Sequence, residues 1–127
     1  MKCNILLVDD NHEFRKFLKE FLLKEELNIT IIEAPTGEMG VATALVHKPD
    51  LILMDVRLPN TSGIAAAKMI KQECPECEII ILTMFMAEEI GNLNYEEWVS
   101  HIIDKGEIYD RLLPVIKDIL KEKTVLM

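Results

Sequence analysis

Apolar residues fall into two alternating rhythms along the chain. Five short runs are apolar almost throughout: NILLV (4–8), ITII (29–32), LILM (51–54), EIIILT (78–83) and HIID (101–104). Runs of that length bounded by turn residues predict buried strands. Between them the period changes. Phe14, Phe17, Leu18, Phe21 and Leu22 lie at helical spacing within 11–26, with Lys and Glu on the other face and Asn11 placed to cap. Thr36 opens a helix through Val41, Ala42, Leu45 and Val46, stopped by Pro49. Ser62 opens another through Ile64, Ala67, Met69 and Ile70, ended at Pro75. The last, over 107–121, carries Ile108, Leu112, Val115, Ile116, Ile119 and Leu120 on one face. Pro114 within it predicts a kink or a late start. The stretch 87–99 is weaker: 88–93 has helical spacing but holds Gly91 and Asn92, so a short or irregular helix is expected.

Strands that are apolar throughout, alternating with helices, indicate a parallel sheet covered on both faces. Right-handed crossovers then give an α/β architecture: a five-stranded, open, doubly wound sheet. With no repeat and no linker, residues 1–127 are expected to form one domain. In such a sheet, ligands bind at the carboxyl ends of the strands, where the strand order reverses.

Composition narrows the partners. The formal net charge is −8 over 127 residues. So acidic a surface repels phosphate backbones, so direct nucleic-acid binding is not expected; basic partner surfaces or metal cations suit it. MKCNILLVDD has too short an apolar run for a signal peptide, and IIILTMFMA is too short to span a bilayer, so a cytoplasmic protein is expected. Cys3, Cys74 and Cys77 do not make a disulfide framework. CPEC closes a helix and precedes a strand, the reverse of a thioredoxin-like placement, and as a zinc half-site it lacks a second pair. It is expected to be two loop cysteines. His12 and His47 are expected in solvent at helix ends, the seven methionines in the core, and Trp98 either as core filler or as an exposed anchor.

The carboxyl ends carry the chemistry. The first strand ends in Asp9 and Asp10, the third in Asp55, the fourth in Thr83, and the fifth in Asp104 and Lys105. Each alone is ordinary: an acidic pair often caps a turn, a Thr suits a strand, a Lys is usually solvated. Their joint placement at the ends of four strands is not ordinary. Clustered carboxylates repel one another and draw in protons or a cation. Mg²⁺ takes one or two carboxylates, keeps waters, and completes its shell with phosphate oxygens. A carboxylate can also accept a phosphoryl group, with a cation, an ammonium and a hydroxyl on its oxygens. Asp55 stands alone on its strand between the acidic pair and Lys105, the best place for the nucleophile.

The motifs LLVDD, LILMDVRLPNTSG, ILT and IIDKG, in this order and approximate spacing, resemble those of response-regulator receiver domains of the chemotaxis-regulator type. The resemblance covers essentially the whole chain and implies a flavodoxin-like fold. It implies that Asp55 is the phosphoacceptor and that Mg²⁺ is held by Asp9, Asp10, Asp55 and the backbone carbonyl of Arg57. It implies that Thr83 and Lys105 contact the phosphoryl oxygens, with Thr83 drawn toward them as the switch. A sensor histidine kinase is then the donor in a two-component system or phosphorelay. An effector domain or downstream protein is the target, and a homodimer on phosphorylation is a further expectation. The LPNTSG and KG features are reminiscent of receivers joined to DNA-binding helix-turn-helix domains that regulate transcription. Residues 121–127, KEKTVLM, would then begin a linker.

The sequence departs from the family where Ile102 replaces the usual aromatic three before the Lys, within WVSHI, and where Gly106 replaces the usual Pro. The aromatic part of the switch is therefore not carried by that position. Arg57 and Phe85, two residues beyond Asp55 and Thr83, are expected to shield the phosphoryl group and prolong its life. Such a domain is not an enzyme in the ordinary sense. A haloacid-dehalogenase-type phosphatase is the enzymatic rival, but it wants an Asp where Arg57 stands. A degenerate receiver acting as a phosphorylation-independent binding module is the other alternative.

Overall fold

A computed structural model describes residues 2–84 and 97–125. Strands β1 (Cys3–Val8), β2 (Ile29–Ala34), β3 (Leu51–Asp55), β6 (Glu78–Thr83) and β7 (His101–Asp104) pair in parallel in the order β2-β1-β3-β6-β7. The order reverses at β1, which lies between β2 and β3. Two further strands, β4 (Arg57–Leu58) and β5 (Thr61–Ser62), form a small hairpin just beyond β3. Its turn uses Asn60 at a φ of 66°, a left-handed conformation that Asn tolerates.

Each central strand is buried on both faces, which is why these segments are apolar without alternation. In β3, Ile52 and Met54 enter one core layer, and Leu51 and Leu53 enter the other. In β6, Ile79 and Ile81 take the first side, Ile80 and Leu82 the second. Helix α1 (His12–Leu23) covers the second layer with Leu18 and Leu22. Helices α2 (Gly37–His47) and α3 (Gly63–Glu73) cover the first. All three are capped by the expected side chains. Asn11, Thr36 and Ser62 accept from the backbone N–H groups of Phe14, Met39 and Ala65 at 2.9, 3.1 and 3.0 Å.

Three sequence expectations need correction. Helix α2 does not pack through Leu45 and Val46, which are exposed; it packs through Gly37, Gly40 and Ala44. Gly40 lies so close to β1 that a Cβ would stand 2.9 Å from both Val8 methyls. The small residues let the helix axis approach the sheet, and the larger ones rotate outward. The methionines are not all core: Met54 is fully buried, whereas Met39, Met69 and Met84 are exposed. The CPEC loop does lie between α3 and β6. Its cysteines, however, are buried and bonded to each other, brought together by a turn in which the Cys77 N–H donates to the Cys74 carbonyl at 3.1 Å.

The last helix starts late, as Pro114 foretells. A 3-10 turn (Lys105–Glu107) and a wide π turn (Ile108–Leu112) lead into the regular α4 (Leu113–Val125). Pro114 then sits in the first turn of the regular α-helix, directly after the wide turn. Ile108, Leu112, Ile116 and Ile119 still form one buried face. The helix expected over 88–93, together with Phe85 and Met86, lies outside the described residues. Trp98 is half-buried against the first core layer, with the Lys68 ammonium 4.9 Å from its ring centroid. Among the described residues, no helix is long and apolar enough to cross a membrane.

Candidate functional site

The register brings the chemistry to one edge. Val8 pairs with Met54, so Asp9 emerges beside Asp55. Asp55 pairs with Leu82, and Thr83 with Asp104, so Thr83 and Lys105 emerge next along the same edge. Asp9 is 4% exposed, Thr83 is fully buried and Asp10 is exposed. One carboxylate oxygen from each of Asp9, Asp10 and Asp55 lies within 4.8 Å of the others.

Lys105 crosses this group. Its ammonium donates to Asp9 Oδ2 at 2.9 Å and lies 3.5 Å from Asp55 Oδ2. A single ammonium cannot balance three carboxylates. Burial, and then the negative charge of Asp9, push the Asp55 carboxyl above its ordinary value; Lys105 and the Arg57 N–H only partly oppose this. Excess negative charge, hard oxygen donors and an exposed third carboxylate open to water fit a divalent cation of the Mg²⁺ type.

Asp9 is held in place from α1. Its Oδ1 accepts the backbone N–H of Asn11 at 2.8 Å. The Arg15 guanidinium donates to the Asp9 backbone carbonyl and pairs with Glu33 at 3.2 Å. Lys19 adds a second cation 3.6 Å from Glu33. Asp55 is held from the hairpin side, where the Arg57 N–H lies 3.4 Å from its Oδ1, a long contact. The Gly106 N–H donates to Asp104 Oδ1 at 2.7 Å, turning the chain sharply after Lys105. The proline usual in the family would lack this donor.

The structure thus brings together Asp9, Asp10, Asp55 and Lys105, with Thr83 one strand position beyond the Leu82 partner of Asp55. Three residues of the site went unread in the sequence. Gly63 packs against the Asp55 backbone: a Cβ there would lie 2.1 Å from the Asp55 carbonyl oxygen. The glycine stands in the quoted LPNTSG motif, but only the strand-to-helix path shows what it allows. Arg15 looks like an ordinary solvated helix residue. Phe14 looks like a core position, yet its ring lies under Lys105, with the centroid 4.1 Å from the ammonium nitrogen.

Comparison with known proteins agrees with this geometry. The family model for the response regulator receiver domain matches residues 5–117. The chain is 37% identical over 120 residues to the chemotaxis protein CheY of Bacillus subtilis, covering 94% of this chain and 99% of that one. It is 27% identical over 105 residues to the transcriptional regulatory protein DegU of Brevibacillus brevis, covering 83% of this chain but 41% of the relative. It therefore spans about two fifths of the length of several regulators that it matches. A receiver domain crystal structure from Clostridium thermocellum superposes with a TM-score of 0.86 at 22% identity, covering 98% of this chain and 99% of that one. The response regulator protein TrrA of Thermotoga maritima, solved in complex with Mg(2+)-BeF, gives 0.82 at 28% identity, covering 94% and 99%. With the family's motifs at the ends of its strands and its fold throughout, this chain belongs to the response regulator receiver domain family.

Proposed function

We propose that the chain is a phosphorylation switch in which Asp55 accepts a phosphoryl group from a sensor histidine kinase, with Mg²⁺ in the acidic cleft. The observation that carries this reading is the placement of Lys105 between Asp9 and Asp55, over a carboxylate cluster with excess negative charge. Asp9, Asp10, Asp55 and the Arg57 carbonyl would hold the cation, which when bound offsets charge on the transferring phosphoryl oxygens. The relative solved with Mg(2+)-BeF supports a cleft of this kind.

Asp55 supplies the attacking carboxylate oxygen. Lys105, already within ion-pair distance of it, meets the charge that the phosphoryl group brings. Thr83, at the carboxyl end of β6, is the hydroxyl that turns toward the new oxygens. The resulting change in charge biases a surface recognised by an effector domain or downstream protein. Ile102 is buried in the core layer behind β7, so an aromatic swing at this position has no part in the switch. Arg57, exposed at the mouth of the cleft, is placed to slow the approach of water and prolong the phosphorylated state.

The test is intact mass after incubation with a small phosphodonor, with and without Mg²⁺. Gain of one phosphoryl group, dependent on Mg²⁺ and absent in Asp55→Asn, is the expected outcome. No gain under any condition would leave a phosphorylation-independent binding module. Turnover of a phosphate ester would instead indicate a phosphatase.

A further inference from the structure

Among the described residues, three groups face the Lys105 ammonium, and they differ in kind. Two are carboxylates, Asp9 and Asp55; the third is the face of the Phe14 ring, 4.1 Å from the ammonium nitrogen. The side chain is 11% exposed, so little water competes for that face. A desolvated ammonium over an aromatic ring is held more firmly than one in water.

The carboxylate contacts change during the proposed cycle. Asp9 Oδ1 already accepts the Asn11 N–H and Oδ2 accepts Lys105. Each oxygen keeps a further lone pair, so a cation at the acidic cluster would share Asp9 with Lys105 and weaken that ion pair. Phosphorylation then converts the Asp55 oxygen beside Lys105 into part of an acyl phosphate. Of the three neighbours, the ring alone is neither a metal ligand nor a reacting group. Lys105 also carries a flexible four-carbon stem that needs a fixed resting place.

We propose that Phe14 is a positioning residue, whose ring face keeps the Lys105 ammonium over the cleft when Asp9 is shared with a cation. This rests on the reading of the cleft as a Mg²⁺-dependent phosphorylation site. Phe14 is suited to the task because it lies in the first turn of α1, whose cap Asn11 also binds Asp9. One helix start thus sets both the carboxylate and the surface under the ammonium.

The test compares wild type with Phe14→Leu, which keeps apolar bulk and helix propensity, and with Phe14→Tyr, which keeps the π face. The first readout is the proton resonances of the Lys105 ε-methylene, measured without phosphodonor. An upfield ring-current shift is expected in wild type and Phe14→Tyr, absent in Phe14→Leu, and retained when Mg²⁺ saturates the wild type. The second is the phosphorylation rate at saturating Mg²⁺ and phosphoramidate. A drop of about threefold to tenfold in Phe14→Leu, restored in Phe14→Tyr, matches the strength of such a contact. The proposal is overturned if the ring-current shift vanishes as Mg²⁺ binds, or if Phe14→Leu reacts at the wild-type rate. A wild type that gains no phosphoryl group with Mg²⁺ overturns the functional reading itself, and the role of Phe14 with it.

Discussion

Asp55 sits where its charge is least welcome. Burial and the neighbouring Asp9 raise its pKa above the ordinary 3.8. Between that value and the raised one, the folded chain holds a proton that the unfolded chain has released. Stability therefore falls as pH rises through this window and stays lowered above it. Asp55→Asn removes the penalty. Without Mg²⁺ its melting temperature should exceed that of wild type at neutral pH, and the two should converge below about pH 3. Equal melting temperatures across the whole range would mean that the cleft does not oppose ionisation of Asp55. Gly63→Ala acts on the same residue through the backbone. With the Asp55 carbonyl 2.1 Å from the new methyl, something rigid must move. A loss of about 2–3 kcal/mol in denaturant unfolding is expected, with phosphorylation impaired as well. The acidic residues, Thr83 and Lys105 were legible in the sequence because each closes an apolar strand. Gly63, Arg15 and Phe14 were not, because their importance depends on what another segment places within a few ångströms of them.

Strand positions were read well and helix faces less well, for a physical reason. A strand buried on both sides declares itself through unbroken apolar residues, as in LILM and EIIILT, whatever covers it. A helix face depends on how closely the axis approaches the sheet. In α2 the apolar residues Leu45 and Val46 suggested one face, but Gly37, Gly40 and Ala44 make the contact. Gly40→Ala tests this: the added methyl meets the stiff, buried Val8 at 2.9 Å. Destabilisation by about 1–2 kcal/mol is expected despite the better helix propensity of alanine. A gain in stability would show that α2 has room to spare. The C-terminal segment was legible in another way. Pro114 foretold a late start, but the wide turn over Ile108–Leu112 depends on keeping Ile108 and Leu112 in the core while the chain leaves Lys105. Asn11→Ala would cost about 1 kcal/mol through the lost cap on Phe14, and would loosen the helix start that supports Asp9.

At the level of the whole molecule, the proposed reading makes the acidic cleft a link between metal, proton and fold. A cation that binds only the folded state raises stability by about 2.7 kcal/mol when present at a hundred times its dissociation constant. Mg²⁺ should therefore raise the melting temperature of wild type near neutral pH. The effect should fade as the carboxylates protonate and shrink in Asp10→Asn; an equal rise in that variant would place the cation elsewhere. The doubly wound plan followed from the alternation of segments. The strand order that puts β1 between β2 and β3 needed the register itself.

The Lys105–Asp9 contact joins residues 96 positions apart, across nearly the whole described chain. In the finished sheet β7 lies on β6 and β6 on β3, so this contact depends on strands from both ends of the sequence. No early fragment holds both partners. A chain still being synthesised, or one whose last strand has come loose, carries Asp55 without the ammonium beside it. On the proposed reading, competence to receive a phosphoryl group therefore requires the docked last strand, and copies lacking it would stay silent.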